Sequence, residues 1–139
     1  MNRRSRAWRW RRAALRSERG SAPAEFAMVA GLLTVLTLVV IQLGLALHVR
    51  NTVLDAAAEG ARYGALADNG PADAVARTRE LIAAAVGPQY GEDVSVAAGS
   101  WQGVPALTVT VRTTLPLIGL LGVDRAMEVS GHAAIETLG

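Results

Sequence analysis

The sequence has no cysteine and no lysine, a single phenylalanine and only two histidines. Without thiols there are no disulfides, no thiolate metal sites and no cysteine nucleophile. His48 and His132 stand far apart in the chain. No glycine-rich loop follows a strand pattern and no acidic cluster has metal-ligand spacing, so the residues point away from an enzyme and require no cofactor or metal. Aromatics make up 4% of residues against 51% hydrophobic overall, so any core has to be assembled from Ala, Val and Leu. A chain of 139 residues holds one domain of ordinary size, and this apolar content is too high for disorder.

Charge is present but unevenly placed. Residues 1–19 carry eight arginines and one acid, a net +7, whereas residues 20–139 carry six arginines and eleven acids, a net −5. The overall +2 therefore joins a basic leader to a mildly acidic body. Between them lies an uncharged run, residues 26–49, bounded by Glu25 and Arg50. At about 1.5 Å per residue such a helix covers roughly 36 Å, enough to cross a ~30 Å bilayer core with some tilt. Its polar members, Thr34, Thr37, Gln42 and His48, are all uncharged side chains of modest cost.

Orientation follows from the flanks. Eight arginines precede the run, while Arg50, Asp55, Glu59 and Arg62 after it nearly cancel. The positive-inside rule then puts the N-terminus in the cytoplasm and the C-terminal part outside. A cleaved secretory signal would have an apolar core of ~7–15 residues before a small-residue cut site. This core is too long, although Ala56-Ala57-Ala58 imitates such a site. The leader's Trp8 and Trp10 among arginines also suit phosphate contact and base stacking. Beside an apolar span, however, Trp at the headgroups and Arg on anionic lipid account for them without nucleic acid.

The junction of leader and span reads Arg19-Gly20-Ser21-Ala22-Pro23-Ala24-Glu25-Phe26. A lone carboxylate at the mouth of a lipid-crossing run is costly to bury and usually has a task, or else it caps the helix and suits its dipole. Gly20 followed by Glu25-Phe26 resembles the class III signal of type IV pilin-like proteins. The apolar stretch beginning after the Glu is similar to that of Flp pilins and Tad pseudopilins. Beyond the span, Arg50-Asn51-Thr52-Val53-Leu54-Asp55-Ala56-Ala57-Ala58-Glu59-Gly60-Ala61-Arg62-Tyr63-Gly64 closely resembles a segment of TadE-like proteins. The two signatures together span about residues 17–66. Pro23 departs from the pattern, yet Pro is tolerated in a helix's first turn.

The resemblance implies a minor pseudopilin or structural component of a Tad (Flp) type IV pilus assembly or secretion apparatus. It implies that a prepilin peptidase cuts between Gly20 and Ser21, that Glu25 and Phe26 act in assembly, and that the partners are other pilins or pseudopilins and the Tad inner-membrane machinery, in addition to the lipid bilayer. From the residues themselves, Ala56, Gly60 and Gly64 recur at i, i+4 beside Ala57, Ala61 and Ala65. Small residues at that spacing form a face that another helix approaches closely, within the module or on a neighbour. Glu59 and Arg62 are placed to pair across one turn. The span is thus expected to continue as one helix to Leu66.

Further on, Asp68-Asn69-Gly70 reads as a loop, and Pro71 opens a second helix that Gly87-Pro88 closes. Val75, Thr78, Ile82 and Ala85 are expected on its buried face, with Asp73–Arg77 and Arg77–Glu80 pairs on another. Three alternating segments follow, centred on Val94 to Ala98, Leu107 to Val111 and Met127 to Ile135, the first two joined by a long loop from Gly99 to Gly103. Residues 115–123 carry no polar side chain, which suits core or a contact patch.

The expected fold is α+β and pilin-like in outline. A long N-terminal helix serves as membrane span and continues outside, and a second short helix and a small antiparallel sheet of about three strands follow it. The expected divisions are a basic leader (1–20), the span with its continuing helix (21–66) and an external module (67–139). An unprocessed membrane-anchored module that binds an external ligand is the alternative, and a soluble module released by signal peptidase is a third. N-terminal sequencing of the protein from cells containing the peptidase separates them: Ser21, Met1 or a residue near Glu59, respectively, with Ser21 expected.

Overall fold

The computed structural model describes the backbone of residues 4–115 and 126–136, and the side chains of residues 20–115 and 126–136. The elements in chain order are helix α1 (Arg4–Ala65), helix α2 (Pro71–Ala85), a short 3-10 turn (Pro88–Gly91) and strands β1 (Asp93–Trp101), β2 (Val104–Thr114) and β3 (Ala126–Ala134). The strands form one antiparallel sheet in the order β1-β2-β3. The architecture is α+β with a long first helix, a short second one and three strands. By compactness the chain divides into residues 1–41 and residues 42–139, and the α1 residues from Gln42 onward share the second unit with α2 and the sheet.

The described side chains of residues 20–41 form no core. The described large apolar side chains there, from Phe26 to Ile41, are 44–75% exposed. Within residues 42–139 the same helix turns into a core element. Its buried positions are Ala46, Val49, Val53, Ala56, Ala57, Gly60, Ala61, Gly64 and Ala65, a stripe at the three-and-four spacing of an α-helix. Onto it pack Ala74, Thr78 and Ile82 of α2, together with Val94, Leu107, Val109, Val111, Met127 and Val129 of the sheet.

Helix α2 starts where the sequence places it, for two local reasons. Pro71 fits the first turn, where no N–H partner is lost. The Asp73 carboxylate accepts the Gly70 N–H at 2.9 Å, which occupies Asp73 with capping. Arg77 pairs with Glu80 at 2.9 Å, and an Asp73–Arg77 pair does not form. The buried face is Ala74, Thr78 and Ile82, with Val75 half-buried and Ala85 exposed. The stripe is therefore rotated toward Ala74 from the one expected, because the helix rolls its smallest side chain against α1. Thr78 is completely buried, and its Oγ1 donates to the Ala74 carbonyl at 2.8 Å, so no polar group is left wanting.

The β1–β2 connection is tighter than its sequence suggests. Trp101 pairs with Val104, leaving a turn of two residues, Gln102 and Gly103, at φ +52° and +84°. Positive φ at both central positions is the type I′ geometry that matches strand twist. Gly103 meets it without strain, while Gln102 accepts it against its ordinary preference. Residues 116–123 of the apolar stretch lie outside the described residues. Leu115, its first member, packs half-buried on the core.

β3 crosses α1 at backbone distance. A Cβ on Gly131 would collide with the α1 backbone at Ala57 and Ala58, whereas a Cβ on Gly99 would meet open space. Gly131→Ala is expected to lower unfolding stability by about 1–3 kcal/mol through overpacking. Gly99→Ala is expected to change it by less than about 1 kcal/mol. Chemical denaturation of the full chain in detergent compares the two directly.

Candidate functional site

Two regions of α1 carry the residues singled out in the sequence. At the first, Gly20, Ser21, Glu25 and Phe26 are all exposed. Ser21 and Glu25 stand one helical turn apart, and the Ser21 Oγ donates to the Glu25 Oε1 at 2.7 Å. That contact was not foreseen, although the four-residue spacing permits it. It supplies the carboxylate with one partner inside its own chain. Pro23 sits within the same turn. Having no N–H, it cannot serve the carbonyl of Arg19, the residue before Gly20. Gly and Pro cost a helix interior about 1 and 3 kcal/mol relative to Ala, so the helix is weakened around the Gly20–Ser21 bond. Around Gly20 itself a Cβ would find open space. The fold therefore makes no demand for glycine at this position.

Past Glu25 the helix surface is apolar. From Phe26 to Leu47, fourteen large apolar side chains are exposed along about 33 Å of helix. This is one helix long and apolar enough to cross a membrane. Its hydroxyls are satisfied internally: Thr34 Oγ1 donates to the Ala30 carbonyl and Thr37 Oγ1 to the Leu33 carbonyl, each at 2.8 Å. In hydrocarbon, where no water competes, such back-bonding removes most of the cost of a hydroxyl.

At the second region the two small-residue rows take different neighbours. A Cβ on Gly60 would collide with Thr78 Oγ1 and the Ala74 carbonyl, and one on Gly64 with the Ala74 Cβ, the Gly70 carbonyl and Leu107. Ala56, 5% exposed, lines a shallow apolar groove with Thr52, Asp55, Glu59, Leu81 and Ala85. Gly60 and Gly64 thus sit against α2 of their own chain, with Ala56 beside Leu81 and Ala85. In the neighbouring row Ala57 lies under Gly131, and the Ala65 carbonyl accepts the Glu136 N–H at 3.0 Å. Glu59 and Arg62 pair at 3.5 Å on the exposed side.

The outward face of the sheet is a ladder of polar cross-strand pairs. Thr108 Oγ1 lies 2.9 Å from His132 Nδ1, Thr110 Oγ1 lies 3.1 Å from Ser130 Oγ, and Arg112 Nε donates to Glu128 Oε2 at 2.7 Å. The Arg112 pKa is raised, chiefly by that hydrogen bond to Glu128 and then by the carboxylate's charge. The His132 ring stacks on Trp101, with centroids 4.1 Å apart and planes 8° from parallel. Such pairs stabilise a sheet from its solvent side. Among the described residues no three His, Asp or Glu side chains are grouped to hold a metal ion.

Comparison with known proteins adds one likeness. Residues 20–62 match the family model for TadE-like protein. The match begins at Gly20 and ends at Arg62, so it takes in Gly20 to Phe26 and all of the second signature but Tyr63 and Gly64, and the TadE-like character of this segment is shown. No curated protein and no solved structure matches the chain.

Since the space around Gly20 is empty, Gly20→Val is expected to leave the fold intact. Its thermal unfolding midpoint in detergent is expected to stay within about 2 °C of wild type, as for other exposed sites away from packing. A larger drop would mean that Gly20 is a structural glycine.

Proposed function

We propose that the chain is a structural component of a Tad pilus assembly or secretion apparatus: a minor pseudopilin held in the bacterial cell membrane by one helix, with its N-terminus in the cytoplasm and its module outside, extracellular or periplasmic. The observation that supports this most is a conjunction in a single helix. The TadE-like match begins at Gly20, an exposed carboxylate follows at Glu25, and a band of exposed apolar side chains runs on to Leu47. The arginine-rich leader supports the orientation. The role is structural rather than catalytic, and it requires no cofactor.

In this reading a prepilin peptidase opens the helix where it is weakened and cuts between Gly20 and Ser21. A residue without a side chain leaves the scissile backbone accessible, which explains a glycine that the fold itself does not need. The cut turns the Ser21 nitrogen from a neutral amide into a cation. The Glu25 carboxylate lies one turn away, already within reach of the Ser21 hydroxyl. A neighbouring subunit, displaced along the assembly axis, presents its own Ser21 amine to this carboxylate at the membrane boundary. Charge pairing of that kind favours cut subunits over uncut ones. Losing one partner of a fully desolvated pair costs about 3–5 kcal/mol.

Two variants test the scheme. Gly20→Val should accumulate in the membrane at full length. Glu25→Gln should insert and be cut normally, while co-purification with other pilins falls by about a hundredfold or more, as loss of a desolvated pair implies. Undiminished co-purification of Glu25→Gln would remove the carboxylate from assembly. Met1 at the N-terminus of the wild type would favour the unprocessed anchored module instead.

A further inference from the structure

The module covers the last turns of the apolar band rather than standing clear of them. Leu43, Leu45 and Leu47 are 47–57% exposed, yet Ala46 and Val49, among and just after them, are 6% and 2% exposed. One side of α1 is thus enclosed by protein at the level where its other side still presents leucines. If those leucines face lipid, as the membrane reading above has it, the edge of the module lies at the same depth.

The packing identifies that edge. Helix α2 runs antiparallel to α1: Gly64 lies at Gly70 and Ala74, Gly60 at Ala74 and Thr78, and Thr52 and Ala56 share a groove with Leu81 and Ala85. The Pro88–Gly91 turn follows at that end, held by Gly91 against Ile82 and by Arg79 Nη2 donating to the Glu92 carbonyl at 3.3 Å. On β3, Gly131 lies at Ala57 and Ala58, and just past its end Glu136 lies at Ala65. Five strand residues thus span seven or eight helix residues, and five more bring Ala126 to about the level of Arg50. Thr114 pairs with Ala126, which puts Leu115 there too. The Gln102–Gly103 turn is at the opposite end.

The side chains at this near end suit a lipid boundary. Val86, Tyr90 and Leu115 pack on the core but stay half-buried, while Pro88 and Gln89 are exposed. Tyr is enriched at headgroup depth because its ring is apolar and its hydroxyl polar. Leu115, next to the Thr114–Ala126 pair, and Ala126 lie together at this edge. Glu92 and Asp93 are exposed at the same end, so attraction to anionic lipid is not the driving force.

We propose that the end of the module formed by Val86, the Pro88–Gly91 turn and Leu115 is a lipid-docking surface seated in the headgroup layer of the bilayer that α1 crosses. The inference rests on the membrane reading, and it goes further in fixing the module's depth and its lipid-facing end. A surface of this kind leaves the hairpin end farthest from the membrane.

A chain without cysteine accepts single-cysteine probes at any site. The full chain carrying Gln89→Cys, Leu115→Cys, Ser100→Cys or Leu36→Cys, each labelled with an environment-sensitive fluorophore, would be reconstituted in phosphatidylcholine vesicles. Doxyl groups near the headgroup or deep in the acyl chain serve as quenchers. Probes at Gln89 and Leu115 should lose fluorescence to the shallow quencher, Leu36 to the deep one, and Ser100 to neither. Quenching at Leu36 without quenching at Gln89 and Leu115 would overturn the docking surface and leave the span in place. Equal quenching at Ser100 and Gln89 would overturn it as well, since the module would then lie on its side. No quenching at Leu36 would refute the membrane reading itself. Blue-shifted emission at Gln89 and Leu115 that no lipid quencher reduces would assign the surface to a second copy of the chain and overturn lipid as its occupant.

Discussion

Close approach to α1 is the constraint on which the module depends. Helix α2 and strand β3 both come so near that a single Cβ at Gly60, Gly64 or Gly131 would overlap the opposing chain. Between these contacts α1 presents Ala56, Ala57, Ala61 and Ala65, and its largest fully buried side chain is Val53. A thin helix lets α2 and the sheet share one axis, so a module with few aromatics still encloses a dry core. Bulk comes from the other side, from Ile82, Leu107, Val109 and Val111. Packing small against large fills the space without voids.

The composition of α1 changes along its length. Up to Leu47 it carries large apolar side chains that face outward, a stretch long and apolar enough to cross a membrane. From Val49 it carries small ones that face inward, with Asp55, Glu59 and Arg62 on the outside. The change takes place within one turn, and the residues around it, Ala46 and Val49, answer to both regimes. Toward the start of the apolar band, Gly20 and Pro23 sit in a helix that gains nothing from them. Gly20 touches nothing, and Pro23 removes a hydrogen bond. Residues that a fold does not need are best explained by something that acts on the fold from outside.

Most of this was legible in the chain. The uncharged run, the basic leader, the small-residue rows, the start of α2 at Pro71 and the alternation of the strands follow from local rules of burial, propensity and capping. The TadE-like likeness could be read from contiguous residues because both of its signatures lie on one helix. The tight turn at Gln102 was hidden, because a type I′ turn ordinarily shows Asn or Asp before its glycine and Gln gives no such sign.

By itself the sequence determined the elements and the division into an apolar run and its small-residue continuation, since each depends on residues within a few turns of one another. Only the tertiary structure decided which row of α1 meets α2 and which meets β3. It alone turned α2 toward Ala74, made Gly131 indispensable and brought the Pro88–Gly91 turn and Leu115 to the level of Arg50. These outcomes depend on the distance and direction at which separate elements cross, and that distance is set by side chains remote in the chain, so no local pattern carries it.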